Sequence, residues 1–402
     1  MNILQVHNKY KIIGGEWTVL HQEYDLLKRE HEVDQFIVDN EKELSGLINK
    51  FKLIFSTHYN RHSKLKLANT LRKKNYGVMH VHNFFPLLSP SIFEAAREQG
   101  VPSVMTLHNY RLIHPNGLMY HNGKIDQRSI NGGSAYKCVM DGVYRNSVFQ
   151  TAVTAHMIEY HRKHGTWSKF PSVFIALSQF SKDKFLEGGL PGERIFIKPN
   201  FLKDPLIDYK DIEINPKKKN RFIYVGRISS EKGVEDLVNC WLMNDIGAEL
   251  YMVGDGPAKP RLEKLSKRDK SVKWIGEVSR MEILKMFSES KAVIFPTKWF
   301  EGQPLVLLEA LSMGCPVITS KIGNPQDIIE DGVTGLHFTP GDVRELHQKI
   351  KFVQNNPEKL RELSNHARKA YLKKYTPEQN IRQIDEIYSV AAEFEKNMAH
   401  IR

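Results

Sequence analysis

A short apolar run, a turn bearing glycine or proline, and a stretch of helical composition follow one another repeatedly along this chain. The pattern is sharpest where Ala292-Val293-Ile294-Phe295-Pro296 reads as a buried strand stopped by proline. Leu305 to Met313 then has helical composition and ends at Gly314. The same alternation marks the first half, with strands expected at Ile3–Val6, Gly77–Asn83, within Val104–Tyr110 and at the start of Phe174–Ser181. Apolar runs too short for helices, separated by helix-length segments, imply βαβ units and a parallel sheet. The fold class is α/β.

In an open sheet of this kind, ligands sit beyond the carboxyl ends of strands, against helix N-termini. The stretch Glu301-Gly302-Gln303-Pro304 occupies that place. Glu301 is expected in the loop, within reach of a ligand's hydroxyls, and Glu309 about one turn into the helix. The amides of Gln303, Leu305 and Val306 are expected to be free and to face an anion. Hydroxyls together with a diphosphate describe a nucleotide sugar, whereas two solvated acids at an ordinary turn would be the plain alternative. A second loop supports the first reading. Arg221 to Val225 leads into Gly226-Arg227-Ile228-Ser229-Ser230-Glu231-Lys232-Gly233, with a helix expected from Val234. Two cations, Arg227 and Lys232, beside a helix start supply what a diphosphate leaving group requires.

The segment Pro296-Thr297-Lys298-Trp299-Phe300 with the following EGQPLVLLEALSMGCPVI resembles the signature of retaining glycosyltransferases of family four, which have the two-domain GT-B fold. Gly226-Arg227 followed by Lys232-Gly233 resembles that family's Gly-Arg-x-x-x-x-Lys-Gly. The resemblance implies two Rossmann-like parallel-sheet domains facing a cleft whose closure excludes water. Residues 1–199 would form the acceptor domain, 200–219 a linker and 220–375 the donor domain, with a helix in 376–402 crossing back to the first. It implies that Gly14 and Gly15 close over the donor diphosphate and that Val278 lies near the base. Glu301 would hold the sugar, Glu309 the ribose, and His108 the transferred sugar from the other domain. His108 lies in Thr-x-His-Asn where the family has Thr-x-His-Asp, so Asn109 supplies no charge.

Charge and composition bound the partners. Fifty-eight basic against 46 acidic residues leave a net charge of +12, which asks for an anionic partner. No nucleic-acid module or aromatic-basic repeat is present, so phosphate-bearing substrates and anionic membrane rank first. A helix expected over Asn60–Lys74, with Leu65, Ala68 and Leu71 on its apolar face, carries Arg61, Lys64, Lys66, Arg72, Lys73 and Lys74. These six are expected either to be a solvated face or to meet anionic lipid. Resemblance to members acting on lipid-linked acceptors tips the reading toward membrane. No run of 18 apolar residues and no signal peptide is read, and Cys138, Cys240 and Cys315 form no C-x-x-C. The expectation is a cytoplasmic protein, peripheral at the inner face of the membrane.

Metal is expected nowhere. His80 and His82 share a strand face, but no third ligand is evident in the sequence. No Asp-x-Asp exists to hold a cation on the diphosphate. The loop 114–150 is expected to face the acceptor. Some family members carry several cysteines there, and the single Cys138 speaks against a metal knuckle. The function expected is retaining, metal-independent hexosyl transfer from a nucleotide sugar to a glycan or lipid-linked acceptor, in surface polysaccharide or lipopolysaccharide biosynthesis. The alternatives are a nucleotide-sugar epimerase of the same fold and a non-catalytic nucleotide-sugar or membrane scaffold.

Overall fold

In a computed structural model that describes residues 1–11, 14–40 and 56–399, the chain divides into two compact units. The first comprises Met1–His121, Asp126–Pro199 and Asn380–Arg402, and the second Asn122–Ile125 and Asn200–Gln379. Each contains a six-stranded parallel sheet flanked by helices, so the α/β, GT-B-type architecture expected of the sequence is what the chain adopts. Ile12 and Ile13, before the paired glycines, and the last three positions of the 376–402 segment lie outside the described residues.

In chain order, the first four strands are β1 (Asn2–Lys9), β2 (Glu32–Asp39), β3 (Val78–Asn83) and β4 (Ser103–Thr106). Two short strands follow, β5 (Tyr120–His121) and β6 (Lys124–Ile125), and then β7 (Val173–Ala176) and β8 (Ile195–Ile197). The sheet of the first unit has the order β2-β1-β3-β4-β7-β8. From β1 the chain runs through helix Gly15–Leu27 out to β2; from β3 it runs through helix Ser91–Glu98 to β4 on the other side. The connections diverge between β1 and β3, which opens a crevice at their carboxyl ends. The C-terminal helix, Pro377–Ala399, starts at the expected proline and lays Ile384, Ile387, Tyr388 and Ala391 into a core with Ile3, Val78, Val104 and Ile175. Full burial of a large apolar side chain in this way contributes about 1.5–3 kcal/mol.

The second unit has β9 (Arg221–Val225), β10 (Glu249–Val253), β11 (Val272–Gly276), β12 (Ala292–Phe295), β13 (Val317–Ser320) and β14 (Gly335–Phe338), in the order β11-β10-β9-β12-β13-β14. Here the divergence lies between β9, followed by helix Val234–Met243, and β12, followed by helix Leu305–Ser312. Apolar clusters cover both faces, which is why the strands read as unbroken hydrophobic runs. Leu202 and Ile212, in the polar 200–219 stretch, are buried in one of these clusters.

One helix reading is corrected. Arg61–Leu71 is helical and capped by Asn60, whose side chain accepts from the Ser63 amide at 3.0 Å. Its buried residues are Ser63, Leu67, Ala68 and Leu71, while Leu65 is 53% exposed. At about 100° per residue, Leu67 and Leu71 lie within about 40° of each other, and Leu65 falls outside their arc.

Candidate functional site

The loops after β9 and β12 meet at the divergence point of the second sheet. Main-chain hydrogen bonds lace the strand ends together: Gly226 N–H to Val253 O at 3.0 Å, Gly254 N–H to Gly276 O at 2.8 Å and Ile228 N–H to Asp255 O at 2.8 Å. Lys298 N–H donates to Glu231 O at 2.9 Å and joins the two loops directly. Gly233, at φ +68°, closes the turn before helix Val234–Met243, and a Cβ there would collide with the Pro296 carbonyl. The glycine therefore permits the left-handed turn and also the close approach.

That packing delivers Lys232 to Glu301. Lys232 Nζ lies 2.7 Å from Glu301 Oε1, and the same oxygen accepts from Trp299 Nε1 at 2.7 Å and Thr297 Oγ1 at 3.0 Å. The ammonium also stands 5.2 Å from the centre of the Trp299 ring. Glu301 is 5% exposed. One carboxylate oxygen is thus saturated, and among the described residues the other has no hydrogen-bond partner. Arg227 is exposed and no acid of the described residues pairs with it. Among the described residues the amides of Gln303, Leu305 and Val306 are unpartnered too, and Pro304, at the N-cap, offers no capping side chain. A cationic pair of side chains, a bare helix start and one free carboxylate oxygen therefore face the same strand ends.

Glu309 is the fifth residue of that helix and pairs with Arg280 Nε at 2.9 Å. Burial holds its carboxyl above the ordinary value against the pull of Arg280. Gln303 accepts from the Asn200 amide through Oε1, while its own Nε2 is buried with no partner among the described residues. Val278 packs on the edge of the core just past β11.

The corresponding crevice of the first unit is lined by histidines. His80 and His82 share one face of β3 with ring centres 4.3 Å apart, and His108 stacks on His82 at 5.3 Å, Nε2 to Nδ1 3.0 Å. Beneath them Glu23, from helix Gly15–Leu27, faces His80 at 3.1 Å and His82 at 3.2 Å and forms an ion pair with Lys198 at 2.9 Å. His80 is further held by Tyr388 Oη and Thr106 Oγ1, both at 2.8 Å. Glu23 is the third potential ligand that is not evident in the sequence, because it arrives from a separate helix well before β3. The pair with Lys198 supplies that carboxylate with its cation, and both nitrogens of His80 are engaged. Glu23, Lys198 and Tyr388 have no local signal in the sequence. Only the strand-end histidines point to a buried charge nearby.

Gly14 caps helix Gly15–Leu27 from an extended conformation, and among the described residues neither glycine would have a neighbour within 4 Å of a Cβ. Glu16, next in line, receives the side-chain amides of Asn83 at 3.4 Å and Asn109 at 3.5 Å. Burial pushes its carboxyl up to about 7 although Arg111 opposes the shift. An aspartate at 109 would set two carboxylates against each other, whereas asparagine donates. This accounts for the departure from Thr-x-His-Asp.

Burial, reinforced by His82, lowers His80 to about 4, and burial with His82 lowers His7 to about 3; His161 is lowered by burial to about 4. Burial alone would raise Glu23, but Lys198 and His80 bring it well below the usual range. Below about pH 6.5 the unfolded chain takes up protons on these histidines that the folded chain refuses, so stability falls as pH drops toward 4. Each fully shifted histidine contributes on the order of 1.4 kcal/mol per pH unit in that window. Glu23 adds loss of the same sign at lower pH, as its folded carboxylate is protonated. The urea midpoint is expected to fall clearly between about pH 7 and pH 5; a flat profile would contradict these assignments.

Of the six basic residues expected on a lipid-facing surface, two are committed elsewhere. Lys64 pairs with Glu94 and Glu98 at 3.0 and 2.8 Å, and Lys74 with Glu32 and Asp34 at 2.9 and 3.2 Å. Arg72 bonds Gln99 at 3.0 Å, and Lys66 stands 5.7 Å over the Phe36 ring. No helix of the described residues is long and apolar enough to cross a membrane.

Two divergence-point crevices, one carrying cations at a bare helix start and the other a buried histidine cluster, define a protein of the GT-B class. Residues 208–370 match the family model of glycosyl transferases group 1. The chain is 26% identical over 196 residues to the lipopolysaccharide 1,6-galactosyltransferase of Salmonella typhimurium, covering 46% of this chain and 53% of that one. Over 313 residues it is 26% identical to the alpha-monoglucosyldiacylglycerol synthase of Acholeplasma laidlawii, covering 75% and 72%. The chain thus spans about half the length of the galactosyltransferase it matches. The solved structure of Anabaena HepE in complex with UDP and glucose shares the fold, with 18% identity, a TM-score of 0.63 and coverage of 96% of this chain and 99% of that one.

Proposed function

We propose that this protein is a retaining glycosyltransferase that moves a hexose from a nucleoside diphosphate sugar to a glycan or lipid-linked acceptor in surface polysaccharide or lipopolysaccharide assembly. The observation that carries the reading is the Lys232–Glu301 pair beside the uncapped start of helix Leu305–Ser312. As the anomeric bond breaks through an oxocarbenium-like state, negative charge grows on the leaving phosphate. Lys232, Arg227 and the amides of Leu305 and Val306 stabilise it without a metal ion. The free oxygen of Glu301 accepts a sugar hydroxyl, and Glu309 the ribose. Glu301 is a poor nucleophile, because one oxygen already receives three donors; this favours attack from the face the leaving group departs, through an ion pair. Gly14, Gly15, Gly226, Val278 and Gln303 complete the donor contacts, and His108 contacts the transferred sugar.

HepE, which shares the fold, was solved in complex with UDP, and this supports trying UDP-sugars first. A thermal-shift screen of UDP-, GDP- and ADP-sugars should raise the melting midpoint for one base, and Glu309→Ala should diminish that rise. No response to any of the three would refute the donor assignment. With Lys64 and Lys74 paired internally, contact with anionic membrane falls to Arg61, Lys66, Arg72 and Lys73, and the protein would act from the cytoplasmic side as a peripheral protein.

A further inference from the structure

We propose that the first unit contains a zinc site formed by His114, Asp126 and Cys138, apart from the donor and histidine sites described above. The single cysteine argued against metal in the sequence, but folding brings two other ligand types to it from 24 and 12 positions away. His114 and Cys138 are fully buried and Asp126 is 7% exposed. His114 Nε2 lies 3.5 Å from Asp126 Oδ2 and 3.7 Å from Cys138 Sγ, and Sγ lies 3.9 Å from Oδ2.

These separations are long for hydrogen bonds with nitrogen or oxygen donors, which close to about 2.7–3.2 Å. They are close to the edges of a tetrahedron around zinc. Bonds of about 2.3 Å to sulfur and about 2.0–2.2 Å to nitrogen and oxygen place ligand atoms about 3.3–3.6 Å apart. A contraction of a few tenths of an ångström would complete the geometry.

The groups behind the three ligands are arranged as a metal requires. Asn116 Oδ1 accepts the amides of Leu118 at 2.8 Å and Met119 at 3.1 Å, and its Nδ2 donates to Tyr120 O at 2.8 Å. Its orientation is therefore fixed, and His114 Nδ1 donates to Oδ1 at 2.8 Å, a far shorter contact than the 3.4 Å from the Asn116 amide that would have Nδ1 accept. In the neutral ring Nε2 then presents a lone pair to a carboxylate and a sulfur, an arrangement that calls for a cation. Arg128 fixes Asp126 through Nε at 2.9 Å and Nη2 at 2.8 Å, and is itself balanced by Asp141. Carboxylate, thiolate and neutral imidazole together offer two negative charges to a divalent ion. Mixed sulfur, nitrogen and oxygen ligands favour zinc over magnesium or calcium. The Glu23–His80–His82 cluster fails both criteria, since Lys198 already neutralises it and His80 has no free nitrogen. The ion would tie together three points of the loop that follows β4, the strand leading to His108.

The test uses the full chain purified from zinc-supplemented culture. Elemental analysis should find about one zinc per chain, and Cys138→Ser and His114→Ala should each reduce this to background. Cobalt exchanged into the wild type should give a sulfur-to-cobalt charge-transfer band, which needs no variant to fold. Absence of both zinc and the cobalt band in the wild type would overturn the site. Zinc retained in full by Cys138→Ser would overturn this ligand set.

Discussion

Lys232→Ala should lower turnover by about 10²–10³-fold, the loss typical when one preorganised donor to a developing anion is removed. The lysine is held by Glu301, 2.7 Å away, with Trp299 and Thr297 sharing the same oxygen. The fold itself thus positions the ammonium, and a diphosphate bound as proposed would meet a cation whose orientation requires no further ordering. Folding should survive, because Glu301 keeps the Trp299 and Thr297 donors and the lysine, 20% exposed, leaves on truncation a gap that water can enter. Turnover, the circular-dichroism spectrum and the thermal midpoint should be measured together. Near-normal turnover would remove Lys232 from the mechanism. Lys232→Ala and Glu301→Gln should also be non-additive, since the two groups share one contact.

Lys198→Met should cost about 3–5 kcal/mol of stability, the range for stripping one partner from a buried ion pair. Lys198 and Glu23 are each 1% exposed, so solvent screens little of their interaction. The variant leaves a carboxylate against His82 and against His80, whose burial already opposes protonation. Glu23→Gln on the same background should recover part of the loss, because a neutral amide has a far smaller desolvation cost than a carboxylate. The urea unfolding midpoints of the single and double variants decide the matter. A Lys198→Met variant as stable as the parent would show that Glu23 is neutral in the folded chain. Since His82 contacts both Glu23 and His108, the single variant should also impair use of the first-unit site.

Much of this is legible in the chain itself. The strands of the second sheet can be read directly, because a parallel sheet covered on both faces leaves short apolar runs bounded by glycine. β2 cannot: Glu32–Asp39 lies at the edge of its sheet, carries polar residues on both faces and buries only Val33 well. Leu65 is misassigned because a helix with few apolar residues leaves its buried arc open to several choices, and only packing selects one. At the proposed donor site, Arg227, Lys232, Glu301 and the bare helix start are visible because each stands next to a turn whose glycine or proline marks it. That Lys232 and Glu301 pair with each other is not, since 69 positions separate them.

The sequence by itself determined the α/β class, most strands of the two sheets and the turns at which Arg227, Lys232 and Glu301 fall, because those follow from local periodicity and turn chemistry, while the two-domain arrangement was implied by the resemblance. Tertiary structure alone decided which charges are neutralised. Glu23 reaches Lys198 across 175 positions, Lys64 and Lys74 are drawn from the basic face to nearby acids, and His114 and Asp126 close on Cys138. Burial and pairing depend on distance through space, and no spacing along the chain encodes them.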